Sequence, residues 1–427
     1  MNIFLLSLKN ITSKPLFTGL SLILLALGVG LISLMLHIDK HLQTQMTNNI
    51  RGIDMVVGAK GSPLQLILSA VFQIDVPTGN IKLSEANALQ KNRLVEYGIP
   101  LSYGDTYQSF RIVGTTQEYP ALYTMQLAEG SLWEKSLQVS IGASMAEKTG
   151  LKIGNTFLGS HGLSEGGHVH EDRFYTVTGI FESSGTVIDQ LILTGLESVW
   201  DIHDSHVSAT VQIGDSQDYG SEHSESGESK EASHSDNHDS NGQDIDQREI
   251  TAMLIKFRSP MGMIQLPRMV NENTNMQAAL PNYELLKLFS LMGIATTTLS
   301  MVAFIVILVS GISVFISLYL SLKERTYEMA LLRTYGASRQ QLLGMIFQEG
   351  ALIALTGFIL GVVLSRVGLL VISMMLKTDY SYDFSESIIL KEEGYLLMIT
   401  LGIGLMAALI PAIHVIKINL SKTLSDA

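Results

Sequence analysis

The chain has 427 residues, of which 46% are hydrophobic and only 16% charged. An ordinary soluble domain carries about 25% charged residues, so the deficit points to lipid, while the net charge of -12 excludes a nucleic-acid partner, whose phosphates it would repel. With no cysteine, disulfide staples and thiolate metal sites are excluded as well.

Residues 1–15 form a short basic segment with Lys9 and Lys14, and residues 16–36 follow without a charge. About 20 apolar residues are what a helix needs to cross a hydrocarbon core roughly 30 Å thick, so 16–36 is the first predicted span. His37-Ile38-Asp39-Lys40 stands where a signal peptide would place small residues for cleavage. That favours an uncleaved anchor over a leader.

Residues 37–287 hold 17 basic against 31 acidic side chains, a net of -14 that leaves +2 for the rest of the chain. A stretch of this length suffices for one or two domains with real cores. Short runs rich in β-branched and aromatic residues recur between Gly, Pro and Asn: 55–57, 110–113, 137–141, 174–178, 187–188 with 191–193, and 253–257. Helices are expected over 84–96, 144–149 and 196–202, with an apolar one over 64–72. The stretch Val56-Val57-Gly58-Ala59-Lys60-Gly61-Ser62 lacks the four-residue gap and the Gly-Lys-Ser/Thr ending of a phosphate loop, and reads as a glycine-rich turn. The mixture predicts an α+β fold, with room for two subdomains.

Eight of the 11 histidines fall between 161 and 238. His161, His168 and His170 surround a glycine-rich turn that also carries Glu165, Glu171 and Asp172. Residues 215–249 contain 11 acidic residues, eight serines and His223, His234 and His238. Such a stretch has too little apolar surface to offset the entropy of ordering and is expected to be a disordered loop. Neutral imidazole and carboxylate suit zinc, so these six histidines are candidate metal ligands. Their spacing fits no closed structural site, and a plain polar linker is the competing reading. His203 and His206 are expected to cap a short helix. No His-Glu-x-x-His run is present, which argues against a metal-dependent hydrolase.

Residues 288–322 carry no charge for 35 positions, on the order of 50 Å of helix, which overshoots a bilayer and predicts a stalk beyond the second span. Residues 323–343 are polar. A third span is predicted over 344–374, interrupted by Glu349 and Arg366. A charge at mid-bilayer costs at least roughly 2.5–3.5 kcal/mol, so each is expected near an opposite interface, with Arg366 snorkelling outward. An acidic loop over 375–394 leads to a fourth span over 395–416 and a tail, 417–427, with Lys417 and Lys422. Basic segments flank the first, second and fourth spans on one side. The positive-inside rule therefore places both termini and 323–343 in the cytoplasm and 37–287 outside. In a bacterium with two membranes, that is a protein of the inner membrane with a periplasmic domain.

Within the polar segment, Arg325 to Tyr335 has no helix breaker and closes at Gly336, a natural left-handed position. Ser338 starts a new helix, with Gln341 completing a capping box. Met329, Leu331 and Leu332, flanked by Arg325, Glu328 and Arg333, make an apolar stripe that neither lipid nor solvent accounts for, and that predicts a protein partner. The competing reading is an amphipathic connector on lipid headgroups. Gly357 and Gly361 have the spacing of a close helix crossing, either at a seam between two copies or in ordinary bundle packing.

The run Glu324-Arg325-x-x-Glu328-x-Ala330-Leu331-Leu332-Arg333-x-x-Gly336-Ala337-Ser338-Arg339-x-Gln341-Leu342, followed by Glu349-Gly350, resembles the coupling segment of the FtsX/MacB-type ABC transporter permeases. That superfamily includes macrolide exporters and lipoprotein-release permeases. The ending Pro411-Ala412 through Lys417-Ile418-Asn419-Leu420 is similar to the family's, with Asn419-Leu420 where Asp-Pro is usual. The resemblance implies four transmembrane helices with a large extracytoplasmic α+β domain between helices 1 and 2. It further implies a second permease copy or paralogue, a separate ABC ATPase subunit that holds the ATP, and an elbow seated on that subunit through Arg325, Glu328, Met329, Leu332, Arg333, Gly336, Ala337 and Ser338. No Walker motif occurs in the chain, so no enzymatic activity is expected here. The expected role is coupling ATP hydrolysis in the partner to movement of the outer domains, with a link to zinc handling as a further expectation. Alternatives are a relay that activates an external enzyme, or extraction of a lipoprotein. A periplasmic binding protein or lipoprotein is an accompanying expectation.

Overall fold

The computed structural model describes residues 15–160, 169–202, 248–376 and 390–416. It divides into two compact units, Gln45–Leu288 and the two flanking pieces Met1–Thr44 and Phe289–Ala427 taken together. The helices are α1 (Pro15–Asn49), α2 (Pro63–Ala70), α3 (Leu83–Gln90), α4 (Glu118–Leu122), α5 (Ala143–Thr149), α6 (196–202), α7 (Met261–Asn273), α8 (Pro281–Glu324), α9 (Thr326–Thr334), α10 (Arg339–Leu376) and α11 (Lys391–Ile416). The strands are β1 (Met55–Ala59), β2 (Ile81–Lys82), β3 (Val95–Tyr107), β4 (Phe110–Thr115), β5 (Leu127–Gly130), β6 (Gln138–Ile141), β7 (Thr156–Ser160), β8 (Val169–Phe181), β9 (Leu191–Gly195), β10 (Glu249–Ile250), β11 (Ala252–Phe257) and β12 (Met276–Ala279).

In the unit Gln45–Leu288, a mixed sheet runs in the order β12-β1-β11-β3-β4-β9-β6-β8-β5, with β7 pairing β3 and β8 beside this path. The β4/β9 and β6/β8 pairs are parallel, and the other pairs along that path are antiparallel. Two apolar clusters hold it. One gathers Met55, Val57, Met253 and Ile255 under Leu266 and Val270 of α7. The other gathers Ile112, Val139, Ile141, Tyr175 and Ile192 with Met145 of α5 and Ile202 of α6. The expected α+β fold is present, and Val56-Val57-Gly58 lies inside β1, paired on both sides, as ladder rather than phosphate loop.

Three expectations change. The helix expected over 84–96 stops at Gln90, because Asn92 Oδ1 accepts the Leu94 N–H at 3.0 Å, a local turn that competes with the next helical bond. The chain then enters the 13-residue strand β3. Val187–Gln190 is a 3₁₀ turn rather than strand, since the Asp189 carboxylate collects the N–H groups of Ser184 and Gly185. Both β12 and α7 were not expected from the sequence.

The helices α1, α8, α10 and α11 are long and apolar enough to cross a membrane; this is a multi-pass membrane protein. Their outward faces carry Ile294, Met301, Ile305, Ile312, Val363, Val371 and Met406, all exposed, as befits side chains whose solvent is lipid. The helix α8 has 44 residues, about 66 Å at 1.5 Å per residue. It exceeds the predicted 288–322 at both ends.

Glycines set the crossings. A β-carbon on Gly350 of α10 would lie 2.8 Å from the Gly404 carbonyl oxygen of α11, and one on Gly404 would lie 2.9 Å from that of Gly350. Gly357 and Gly361 pack against Leu25 and Val29 of α1, and a β-carbon on the second would lie 2.7 Å from that of Val29. That pair therefore serves packing within one chain. The expectation that Arg366 snorkels outward is corrected: its Nη2 donates to both carboxylate oxygens of Glu393 at 2.9 Å, because the first turn of α11 brings a counter-charge to it. Glu349 is buried in α10 at 8% exposure.

Candidate functional site

The polar segment between α8 and α10 folds as a fixed elbow. The helix α8 stops at Glu324, and Arg325 leaves helical geometry (φ -99°, ψ 13°) before α9 begins. Thr326 Oγ1 donates to the Lys323 carbonyl at 2.9 Å, satisfying one of the acceptors that the helix end exposes. The far end of α9 closes on Gly336, whose φ of +98° lies where a β-carbon is penalised. There the Ala337 N–H reaches the Leu332 carbonyl at 3.0 Å and the Gly336 N–H reaches that of Arg333 at 3.1 Å. This is the six-to-one and five-to-two pair of a Schellman ending. The next helix starts with reciprocal capping: the Gln341 N–H donates to Ser338 Oγ at 3.2 Å, and the Ser338 N–H donates to Gln341 Oε1 at 2.8 Å. Both turn signals expected from Gly336, Ser338 and Gln341 are present.

The faces of α9 differ from the expected stripe. Met329 and Ala330 are buried, and Met329 packs with Leu318 and Leu322 of α8 and with Leu342, Met345 and Ile346 of α10. Leu332 lies partly buried against the same cluster. These two leucine and methionine side chains hold the elbow to the bundle, a correction to their reading as surface. Leu331 remains exposed at 37%, beside Tyr327 at 48% and Tyr335 at 82%. These three are four residues apart and so share one stripe of the helix. The two tyrosines were missed, although the spacing 327, 331, 335 was legible.

Charge surrounds the stripe. Arg325 and Glu328 approach to 4.0 Å across one turn, with the Glu328 side chain 71% exposed. Arg333 and Ala337 are half-buried, while Ser338 and Arg339 are exposed. No base, nucleophile and oxyanion donor converge here. The arrangement is a rigid aromatic and apolar surface with a mixed-charge rim, the composition of a protein contact.

Of the candidate metal ligands, His161, His168, His223, His234 and His238 lie outside the described residues, as do His203 and His206. His170 lies in β8, with its side chain outside the description. Among the described residues no group of three or more His, Cys, Asp or Glu is placed to hold a metal ion.

Two family models match the chain. The FtsX-like permease C-terminal matches residues 300–420, which include the elbow, and the MacB-like periplasmic core domain matches residues 18–221. Solved structures similar to it include the periplasmic region of MacB from Actinobacillus actinomycetemcomitans, at 13% identity and TM-score 0.33 over 57% of this chain and 97% of that one. Another is the extracellular domain of the noncanonic ABC-type transporter YknZ from Gram-positive bacteria, at 11% identity and TM-score 0.29 over 52% of this chain and 98% of that one. No curated protein matches the chain.

Proposed function

We propose, from the premise that this chain belongs to the FtsX/MacB-type ABC permeases, that it is the membrane subunit of a transporter driven by a separate cytoplasmic ATPase. The elbow is the seat of that ATPase, and a second permease copy or paralogue completes the assembly. One observation carries the reading. A short helix, fixed at both ends by hydrogen-bonded turns, gives one face to its own bundle and turns Tyr327, Leu331 and Tyr335 outward.

Rigid aromatic side chains supply large contact area at low entropic cost, and such residues dominate binding energy at protein contacts. A rigid seat also transmits displacement, since a flexible linker would absorb it. The helix α8 enters the elbow directly, and its roughly 66 Å exceed the hydrocarbon thickness about twofold. Motion imposed at Glu324 can therefore reach the far end of the helix without passing through a loop. The basic residues Lys323, Arg325, Arg333 and Arg339 support a cytoplasmic elbow, with the acidic unit Gln45–Leu288 on the opposite side of the bacterial inner membrane.

The test is co-purification of the full chain with its ATPase after Tyr327→Ala and Tyr335→Ala are introduced together. Loss of at least tenfold in recovered ATPase is expected, with an unchanged melting profile of the permease. Full recovery of the ATPase would rule the stripe out as its seat.

A further inference from the structure

Arg111 of β4 is buried, at 6% exposure, and its charge is uncompensated: the ion pairs among the described residues all lie elsewhere. Both hydrogen bonds of its guanidinium go to neutral oxygens. Nη1 donates to Gln73 Oε1 at 3.3 Å and Nη2 to the Asp75 carbonyl at 2.9 Å, while the group stands 4.8 Å from the centre of the Tyr103 ring. An arginine has five N–H donors, so Nε and one hydrogen on each Nη remain. No nitrogen of Arg111 is both sealed from solvent and unbonded, which leaves those donors within a ligand's reach. Buried charges are ordinarily paired, and residues 37–287 are rich in carboxylates, yet none of the described ones is brought here.

The oxygens that hold Arg111 belong to the loop 71–80 between α2 and β2, which is tied down along its length. Gln73 adopts a φ of +60°, a left-handed conformation that costs a non-glycine residue energy. Its Nε2 donates to the Ala70 carbonyl at 3.0 Å and to the Tyr103 hydroxyl at 3.1 Å. Gln65 Nε2 donates to the Val76 carbonyl at 3.1 Å, and Thr78 Oγ1 to the Ala59 carbonyl at 3.0 Å. The Asp75 carboxylate accepts the Val76 N–H at 2.7 Å. So fixed, the loop still turns Ile74 and Val76 outward, 48% and 58% exposed. They flank in sequence the residue whose carbonyl the guanidinium holds.

We propose that Arg111 anchors a binding site for an amphiphilic carboxylate, an organic anion whose apolar body lies on Ile74 and Val76 while its two oxygens take the remaining guanidinium N–H groups. The planar fork of an arginine matches a carboxylate, and the two aliphatic side chains offer apolar area to cover. Pinning the loop alone would require a donor but neither a charge nor outward-facing apolar side chains. Because the loop is already held in place, little ordering is left to oppose binding. The site lies wholly within the unit Gln45–Leu288 and is independent of the elbow and of any ATPase.

Because the chain has no cysteine, Val76→Cys reports occupancy at this position alone. The full-length variant, in nanodiscs of zwitterionic phosphatidylcholine, is alkylated with a water-soluble maleimide in the presence of decanoate or of its uncharged counterpart, decanol. Decanoate is expected to halve the alkylation rate at a free concentration at least tenfold below that of decanol. Adding Arg111→Gln should erase this preference, and adding Arg111→Lys, which keeps the charge but loses the fork, should weaken it. Equal protection by decanoate and decanol in the Val76→Cys chain would overturn the site, whether or not the arginine variants fold. So would a full preference for decanoate in the chain carrying Arg111→Gln.

Discussion

Tyr103, Tyr123 and Tyr175 show how much a single side chain can commit the unit Gln45–Leu288. Burial, above all, pushes the phenols of Tyr103 and Tyr123 above the usual value, and it does the same to Tyr175, where the Asp105 carboxylate adds to the effect. The Tyr103 hydroxyl donates to the Ser69 carbonyl at 2.6 Å and the Tyr123 hydroxyl to the Asn49 carbonyl at 2.8 Å, bonds that require the neutral form. A folded value above the unfolded one means that this stability is fully present below about pH 10. It is lost progressively above that, as the unfolded chain ionises first. Each such phenol contributes a slope of about 1.4 kcal/mol per pH unit. The denaturation midpoint of the full chain should therefore fall steeply from pH 10 upward, together with the appearance of tyrosinate absorbance. A flat midpoint between pH 9 and 11 would contradict the burial described.

At the scale of elements, the two faces of α9 separate stability from association. Met329→Ala removes a buried side chain from the cluster with Leu322, Leu342 and Met345, and a loss of about 2–5 kcal/mol is the usual cost of such a cavity. Thermal unfolding of the purified permease should shift downward in this variant, whereas Tyr335→Ala, at an 82% exposed position, should leave it in place. The opposite ranking would mean that the faces are exchanged. The elbow's turns were legible because Gly336 and the Ser338/Gln341 pair act on their immediate neighbours. Its inward face was not, because Met329 and Leu332 find their partners on α8 and α10, and helical spacing alone does not say which apolar stripe the bundle takes. The same limit applies to β3, where Gly98, Pro100 and Gly104 break the alternation by which a strand is recognised. It applies to α7 too, which carries Pro267 inside it, against the usual rule for helix interiors.

For the whole molecule, the long charge-free runs made the four membrane helices visible, since lipid demands an internally bonded backbone over a fixed thickness. Their lateral packing was hidden. Arg366 looked like an interfacial cation until α11 supplied Glu393 and α1 supplied His37, residues drawn from three separate stretches of sequence. What remains is a permease with four membrane helices, a separate α+β unit, Gln45–Leu288, and a rigid elbow between α8 and α10. The most direct test replaces Tyr335 with a photo-reactive phenylalanine analogue in living cells and identifies what it captures on illumination. Covalent capture of the ATPase chain, lost when the analogue is moved to the buried Met329 position, is the predicted result. Capture only of lipid or of proteins from outside the cytoplasm would contradict the account.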